Sequence, residues 1–203
     1  MEVRMMLQKG ERTKGEILNI AKKLFIEKGF ASITMSDLCE ATGLSRGGLY
    51  RHFSSTDEVF IALLTTDKDD WQAEMDKAME NGIPAIHMMG YFLEQIRIGI
   101  ATGVGGLSLA TYEFMRNRQG INDFIDARYD LAVNMMKSML QYGQKRGEFK
   151  PFNIQTEAEH LVIFLDGLQT ASAVVPFSEE VISRQLNGIL ERLKTEEQPN
   201  EEN

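Results

Sequence analysis

Apolar residues recur at three- and four-residue steps along a 203-residue chain with only four prolines, and that rhythm confines it to a helical fold. No convincing strand alternation interrupts it. Ile17, Ile20, Ala21, Leu24 and Phe25 make a one-sided stripe closed by Gly29, which predicts a first helix over about 12–28. Thr34, placed before Met35-Ser36-Asp37, predicts a capped second helix that Gly43 ends after barely two turns. Ser45 caps an equally short third helix to about His52. Thr56, followed by Asp57 and Glu58, starts a long fourth helix carrying Val59, Leu63, Trp71, Met75 and Met79 toward Asn81-Gly82.

Pro84 suits the first position of a fifth helix that runs to about Ile100, with Met88, Phe92 and Ile96 along one side. Gly103, Gly105 and Gly106 interrupt it before a sixth helix that ends near Arg116. A seventh is expected over 121–145, with Met135 and Met139 on its apolar face. After the loop Arg146-Gly147-Glu148-Phe149-Lys150-Pro151, an eighth over 155–175 is apolar nearly all round from Leu161 to Leu168. It is expected to be buried on several sides and stopped by Pro176. Phe177 and Ile182 flank Ser178 at the spacing of a hydrophobic staple and open a ninth helix with Leu186, Ile189, Leu190 and Leu193. Residues 195–203 are acidic and polar and are expected to be disordered. The fold class is all-α, with about nine helices.

Composition removes several functions. Cys39 is the one cysteine, so no internal disulfide and no thiolate metal cluster is available, and it reads as a small buried side chain rather than a redox sensor. His52, His87 and His160 lack paired ligand spacing, and no metal or cofactor is expected. No window approaches the ~18 uncharged apolar residues of a membrane helix, and the N-terminus lacks a signal-peptide core, so a cytoplasmic protein is expected. Gly103-Val104-Gly105-Gly106 follows no strand and precedes no Lys-Ser or Lys-Thr, which excludes a phosphate loop. A net charge of −8 argues against nucleic acid until it is divided. Residues 1–56 hold nine Lys and Arg against six Asp and Glu; the remainder holds 13 against 24. A basic head is joined to an acidic body.

Two short capped helices meet in that head through Gly43-Leu44-Ser45, with a longer helix on each side, the local make-up of a helix-turn-helix over about 34–53. In the third helix Leu49 and Phe53 anchor one face, leaving Arg46, Gly47, Gly48, Tyr50, Arg51 and His52 outside. Two glycines within a helix cost roughly 1 kcal/mol each relative to Ala but permit close approach to a phosphate backbone or base edge.

These residues resemble the TetR family of bacterial transcriptional regulators. The match runs through Phe30-Ala31-Ser32-Ile33-Thr34, Gly43-Leu44-Ser45 and Gly48-Leu49-Tyr50-Arg51-His52-Phe53 into Asp57-Glu58-Val59-Phe60. Further on, it rests on the helical layout and on pieces such as Arg146-Gly147-Glu148-Phe149 and Asp166-Gly167-Leu168. The resemblance implies a DNA-binding domain at 11–71, a helical effector-binding and dimerisation domain at 72–194, and a homodimer on a pseudo-palindromic operator, usually released by a small effector. Carried over, Thr34 and Tyr50 contact phosphate, Ser45, Arg46, Gly47 and Gly48 face base edges, and Arg51 and His52 lie near the backbone. Thr56 stands where many family members have Lys; Lys9, Arg12 and Lys14 are candidates to compensate.

Twelve methionines are heavy use for this length. With Trp71, Phe92, Phe114 and Phe164, the residues Met75, Met88, Met135 and Met139 fit a pocket for a largely apolar ligand, although plain core packing explains any single one. Asp166 and Gln169 interrupt the apolar eighth helix, to hold a ligand's polar end or to bond across a dimer seam. His87, Tyr91 and Arg97 are weaker candidates. The seam itself is expected from Leu161, Leu165, Leu168, Ile182, Leu186, Ile189 and Leu193. No catalytic arrangement is visible, so an enzyme or ligand carrier ranks behind a ligand-released repressor and behind an activator or effector-independent regulator of the same fold.

Overall fold

In the computed structural model, which describes residues 2–116 and 122–195, nine helices are present among the described residues and no strand. In order they are α1 (Glu2–Lys28), α2 (Met35–Thr42), α3 (Arg46–Tyr50), α4 (Thr56–Glu80), α5 (Ala85–Ala101), α6 (Gly105–Arg116), α7 (Asn122–Lys145), α8 (Ile154–Ser172) and α9 (Glu179–Leu193). None is long and apolar enough to cross a membrane. The chain divides into two compact units, one comprising Met1–Trp71 with Gly106–Arg118 and the other Gln72–Gly105 with Gln119–Asn203.

Helix boundaries depart from expectation where propensity or proline outweighs the apolar stripe. α1 begins at Glu2 rather than near residue 12, since Met, Leu, Gln, Lys and Glu are strong helix formers without an apolar face. α8 closes at Ser172 rather than continuing to 175. Pro176 disfavours helical geometry at Val175, and Val174-Val175 are β-branched. α4 does start at Thr56, and Ser55 before it supplies the cap: its Oγ accepts from the Glu58 amide at 3.2 Å, while the Glu58 carboxylate accepts from Ser54 N at 2.6 Å and Ser54 Oγ at 2.7 Å.

The first unit is built on an aromatic core. Phe25, Phe30, Phe60 and Phe114 are all buried, with ring centroids 4.8–5.7 Å apart, and such pairs each add ~0.5–1.5 kcal/mol beyond area burial. Phe114 is therefore not a pocket residue of the body, and the continuous domain expected at 72–194 is interrupted by α6. Gly106 explains how α6 fits: a Cβ there would lie 2.3 Å from the carbonyl oxygen of Ile26, so only glycine lets the helix pass α1 at backbone contact. Glu113, one turn before the end of α6, completes the attachment. Its Oε2 accepts from the amides of Phe30 at 2.8 Å and Ala31 at 3.3 Å, just beyond Gly29, whose φ of +74° turns the chain out of α1.

In the second unit α7 packs along α8, while α5 packs against α7, α8 and α9. Its core takes Met75, Met88, Met89, Leu93, Ile96, Val133, Met136, Met139 and Leu140 together with apolar residues of α8 and α9. The expected seam is thereby corrected. Leu161, Leu165, Ile182, Leu186, Ile189 and Leu193 are at most 3% exposed within one chain, and Leu168 packs half-buried against them. Helical stripes of that strength are satisfied inside the subunit. Nor is α8 buried all round, because Ile163 is 62% exposed.

A clasp at 146–149 holds this unit together. Gly147 takes φ +72°, and Glu148 Oε2 accepts from the Ile86 amide at 3.1 Å, capping α5 where Pro84 has no side chain to do so. Arg146 bonds the other Glu148 oxygen. Burial raises the Glu148 pKa, but Arg146 and the α5 amides more than offset this and hold it below the ordinary value. Phe149 lies over Gly143 and forms an isolated antiparallel bridge with Lys194. Thr195, expected in the disordered tail, is fixed instead: its amide donates to Glu148 O at 3.2 Å and its hydroxyl to Gly147 O at 3.1 Å. Residues 196–203 lie outside the described residues.

Candidate nucleic-acid interface

The third helix is presented by its caps. Thr34 and Asp37 form a capping box at the start of α2: Thr34 N donates to Asp37 Oδ2 at 2.8 Å, the hydroxyl donates to the same oxygen at 2.5 Å, and Asp37 N returns a bond to Thr34 Oγ1 at 3.3 Å. The Thr34 hydroxyl bond, followed by its amide bond, pulls the Asp37 carboxyl below its ordinary pKa. Gly43 ends α2 in the left-handed region at φ +68°. Ser45 then caps α3 by accepting from the Gly48 amide at 3.2 Å. Leu49 and Phe53 are sealed in the core beneath, as their spacing predicts.

With one face anchored, the opposite face of α3 is open. Arg46, Gly47, Tyr50 and Arg51 are exposed, whereas Gly48 and His52 are half-buried. Among the described residues Arg46 and Arg51 have no ion-pair partner, although Asp and Glu outnumber Lys and Arg in this chain by 30 to 22. An unpaired guanidinium keeps all five donors for a ligand. Thr34 and Ser45 differ: both hydroxyls are engaged in caps, so an exchange of partners must precede a phosphate contact by Thr34. Thr56, the first residue of α4, is half-buried.

Of the basic residues expected to compensate, Arg12 pairs with Glu16 at 3.0 Å, and Lys14 lies over the Phe53 ring at 5.6 Å. The two Ser54 bonds hold the Glu58 pKa below its ordinary value, outweighing the opposing effect of burial, and Lys14 makes the smallest contribution in the same direction. The side chain of Lys9 lies outside those described. Cys39, expected to be buried, is half-buried on α2. Two residues of this region escaped the sequence reading. Ser55 was recoverable from its Ser-x-x-Glu spacing to Glu58; Glu113 was not, since 83 residues separate it from Phe30.

The expected pocket residues divide between the units. Met75, Met88 and Met139 are buried in the second unit's core, with Phe92, Met135 and Phe164 packed against it. Trp71 and Phe114 belong to the first unit. Asp166 and Gln169 are half-buried; the Gln169 side chain donates from Nε2 to Leu165 O at 3.4 Å, and its backbone carbonyl accepts from Ser172 Oγ at 2.7 Å. Beside it, Thr170 Oγ1 is buried without a hydrogen-bond partner. Of the weaker candidates, His87 and Tyr91 are exposed, and Arg97 is held by Glu94 at 2.6 Å and Glu179 at 2.9 Å. No group of three or more His, Cys, Asp or Glu among the described residues is placed to hold a metal ion.

Two family models match the chain. The one described as bacterial regulatory proteins, tetR family, covers residues 17–63, and the one described as tetracyclin repressor-like, C-terminal domain, covers 88–183. An uncharacterized HTH-type transcriptional regulator of Bacillus subtilis, YfiR, is 32% identical over 163 residues, 78% of each chain. The HTH-type transcriptional regulator UidR of Escherichia coli K12 is 27% identical over 149 residues, 72% of this chain and 74% of that one. A TetR-family regulator from Agrobacterium tumefaciens superposes with a TM-score of 0.77 over 92% of this chain and 100% of the other; at 15% identity that likeness concerns the fold alone.

Proposed function

Because the chain belongs to the tetR family of bacterial regulatory proteins, and is thus a DNA-binding transcriptional regulator rather than an enzyme, we propose that it acts as a homodimeric repressor. Its paired α3 helices bind a pseudo-palindromic operator, and a small, largely apolar effector held in the second unit releases them. The DNA-binding domain in this reading is residues 11–71 completed by α6. What supports it most directly is the open face of α3. Arg46 and Arg51 stand there without ion-pair partners among the described residues, beside Tyr50, on a helix whose other face is locked by Leu49. Arg46 is assigned to a base edge, and Tyr50 and Arg51 to phosphates. Arg46→Ala should weaken operator binding by ~1–3 kcal/mol if it reads a guanine. Footprints and mobility shifts unchanged by that substitution refute the assignment.

The subunit contact falls on the outward faces of α8 and α9 instead of their buried stripes. Ile163 of α8 is 62% exposed and Val174, in the turn just after α8, is 70% exposed, and a Cβ at Gly167 or Gly188 would meet nothing within 4 Å, so a second copy could approach closely. Arg192 braces the two helices by bonding Glu157 at 2.7 Å. For the effector, the flexible thioethers of Met75, Met88, Met135 and Met139 beside Phe92 and Phe164 can repack around an apolar body, and Thr170, Gln169 and Asp166 supply polar groups. A thermal-shift screen of apolar compounds, followed by release of bound DNA, tests this. An activator of the same fold is the second reading; a promoter-reporter assay with the gene deleted separates them by the sign of the change.

A further inference from the structure

The sequence holds two Asn-Gly pairs, Asn81-Gly82 and Asn187-Gly188, and the structure sets them in different backbones. Exposure does not separate them. Both asparagines are exposed, and a Cβ at either glycine would meet nothing within 4 Å. Asn187-Gly188 lies inside α9, between Leu186 and Ile189, each 3% exposed, so freeing its backbone means unwinding a helix whose neighbouring side chains are sealed in the core. Asn81-Gly82 instead closes α4. Gly82 takes φ +71°, its amide donates to Met79 O at 3.0 Å, and the Ile83 amide donates to Ala78 O at 3.0 Å, the paired bonds of a left-handed helix end. With Asn81, Gly82 and Ile83 all exposed, that end opens by fraying of a single turn.

We propose that Asn81 is a site of spontaneous covalent modification, at which the side-chain amide is lost and aspartate or isoaspartate takes its place. Once the turn opens, the Gly82 amide nitrogen gives its proton to base and attacks the Asn81 side-chain carbonyl carbon. A C–N bond closes a cyclic imide, and the side-chain nitrogen takes up a proton and leaves as ammonia. Water then opens the ring at one carbonyl or the other. Nothing is oxidised or reduced, and water is the one co-reactant consumed. Either product places a carboxylate at the C-terminal end of α4, next to Glu80, where the helix dipole disfavours negative charge. Isoaspartate also inserts a methylene into the main chain, so the Gly82 and Ile83 bonds no longer both close. That turn delivers the chain to α5, whose Ala85, Met88 and Met89 are buried in the second unit's core. The site is a slow, one-way change built into the corner between α4 and α5.

The test ages the full-length protein in mildly alkaline buffer, folded and in urea, and reads both Asn-Gly pairs by peptide mass and by an isoaspartate-specific methylation assay. In urea the two pairs should convert alike, since only the fold distinguishes them. In the folded protein Asn81 should yield at least ~10-fold more product than Asn187, because a helix end opens far more readily than a helix interior packed on the core. Aged wild type should melt below fresh protein, with exchange protection lost first at the Gly82 and Ile83 amides. Asn81→Gln, whose larger ring closes much more slowly, should keep its Tm on ageing. Equal yields at the two pairs in the folded protein overturn the inference, as does an Asn81 left intact there after the urea-unfolded chain has converted. Conversion at Asn81 with no fall in Tm relative to Asn81→Gln overturns the claim that the change loosens the corner.

Discussion

Replacing Glu113 with Ala should loosen the DNA-binding unit without touching its recognition helix. The carboxylate bridges the sixth helix to the corner between α1 and α2, accepting from Phe30 N at 2.8 Å and Ala31 N at 3.3 Å. Ala31 is exposed, so water replaces the lost acceptor there at small cost. Phe30 is 5% exposed and its ring sits in the four-phenylalanine core, so its amide is left poorly solvated. An unsatisfied buried donor costs ~1–3 kcal/mol, and the bond lost is charge-assisted, at the stronger end for hydrogen bonds. We therefore expect Glu113→Ala to destabilise by about 2 kcal/mol. Glu113→Gln, which keeps an oxygen acceptor and gives up only the charge, should lose about half of that. Urea unfolding of the full-length protein gives the stability change, and hydrogen exchange at the Phe30 amide locates it, since that amide should lose protection in the Ala variant first. An Ala variant within ~0.5 kcal/mol of wild type, with the Phe30 amide still protected, would show that α6 is not fastened to the head through this carboxylate.

Glu148→Gln should flatten the acid limb of the stability profile. Its carboxyl is held below the ordinary value of 4.5, so the stability it adds is fully present above that pH and fades as pH falls through its lower folded value; the gap between wild type and variant should close in that window. Gly143→Ala puts a Cβ 2.2 Å from Phe149 Cδ2 and 2.9 Å from Ala85 Cβ, overpacking that should cost ~1–3 kcal/mol in chemical denaturation; a neutral result would mean Phe149 can swing aside. Ile163→Asp should shift sedimentation toward monomer while leaving the subunit's own melting little changed, because Ile163 packs on no core of its own chain. Retention of a full dimer would place the subunit contact elsewhere.

The parts of the fold legible in the sequence are those fixed by short-range chemistry. Thr34, Gly43 and Ser45 announce the α2–turn–α3 element because a side-chain cap and a left-handed glycine act within three or four residues. Leu49 and Phe53 could be assigned to the core because four residues make about one helical turn. The apolar stripes of α8 and α9 are legible as stripes too. Which body they face is a different matter, and periodicity is silent on it: Leu161, Leu186 and Ile189 turn inward to their own chain, and Ile163 of α8 faces outward. Methionine content points to a pocket for an apolar ligand, with core packing the alternative for any one residue, but it cannot sort the members: Phe114, which composition groups with Met75 and Met139, packs on Phe30 and Phe60.

By itself the sequence determined an all-helical chain with a basic head, a capped helix-turn-helix and a third helix carrying Arg46, Tyr50 and Arg51 on one face, since helix period, caps and charge are local properties. Only the folded chain shows that the first unit, which holds the helix-turn-helix, is discontinuous and completed by α6. It also decided that Glu148 caps α5 from 62 residues away, and that a Cβ at Gly106 would meet the backbone of α1 while one at Gly47 would meet nothing. Each of these rests on atoms brought together by packing across long stretches of chain, or on the empty space around a Cα. Both are properties of the folded surface that residue order does not encode locally.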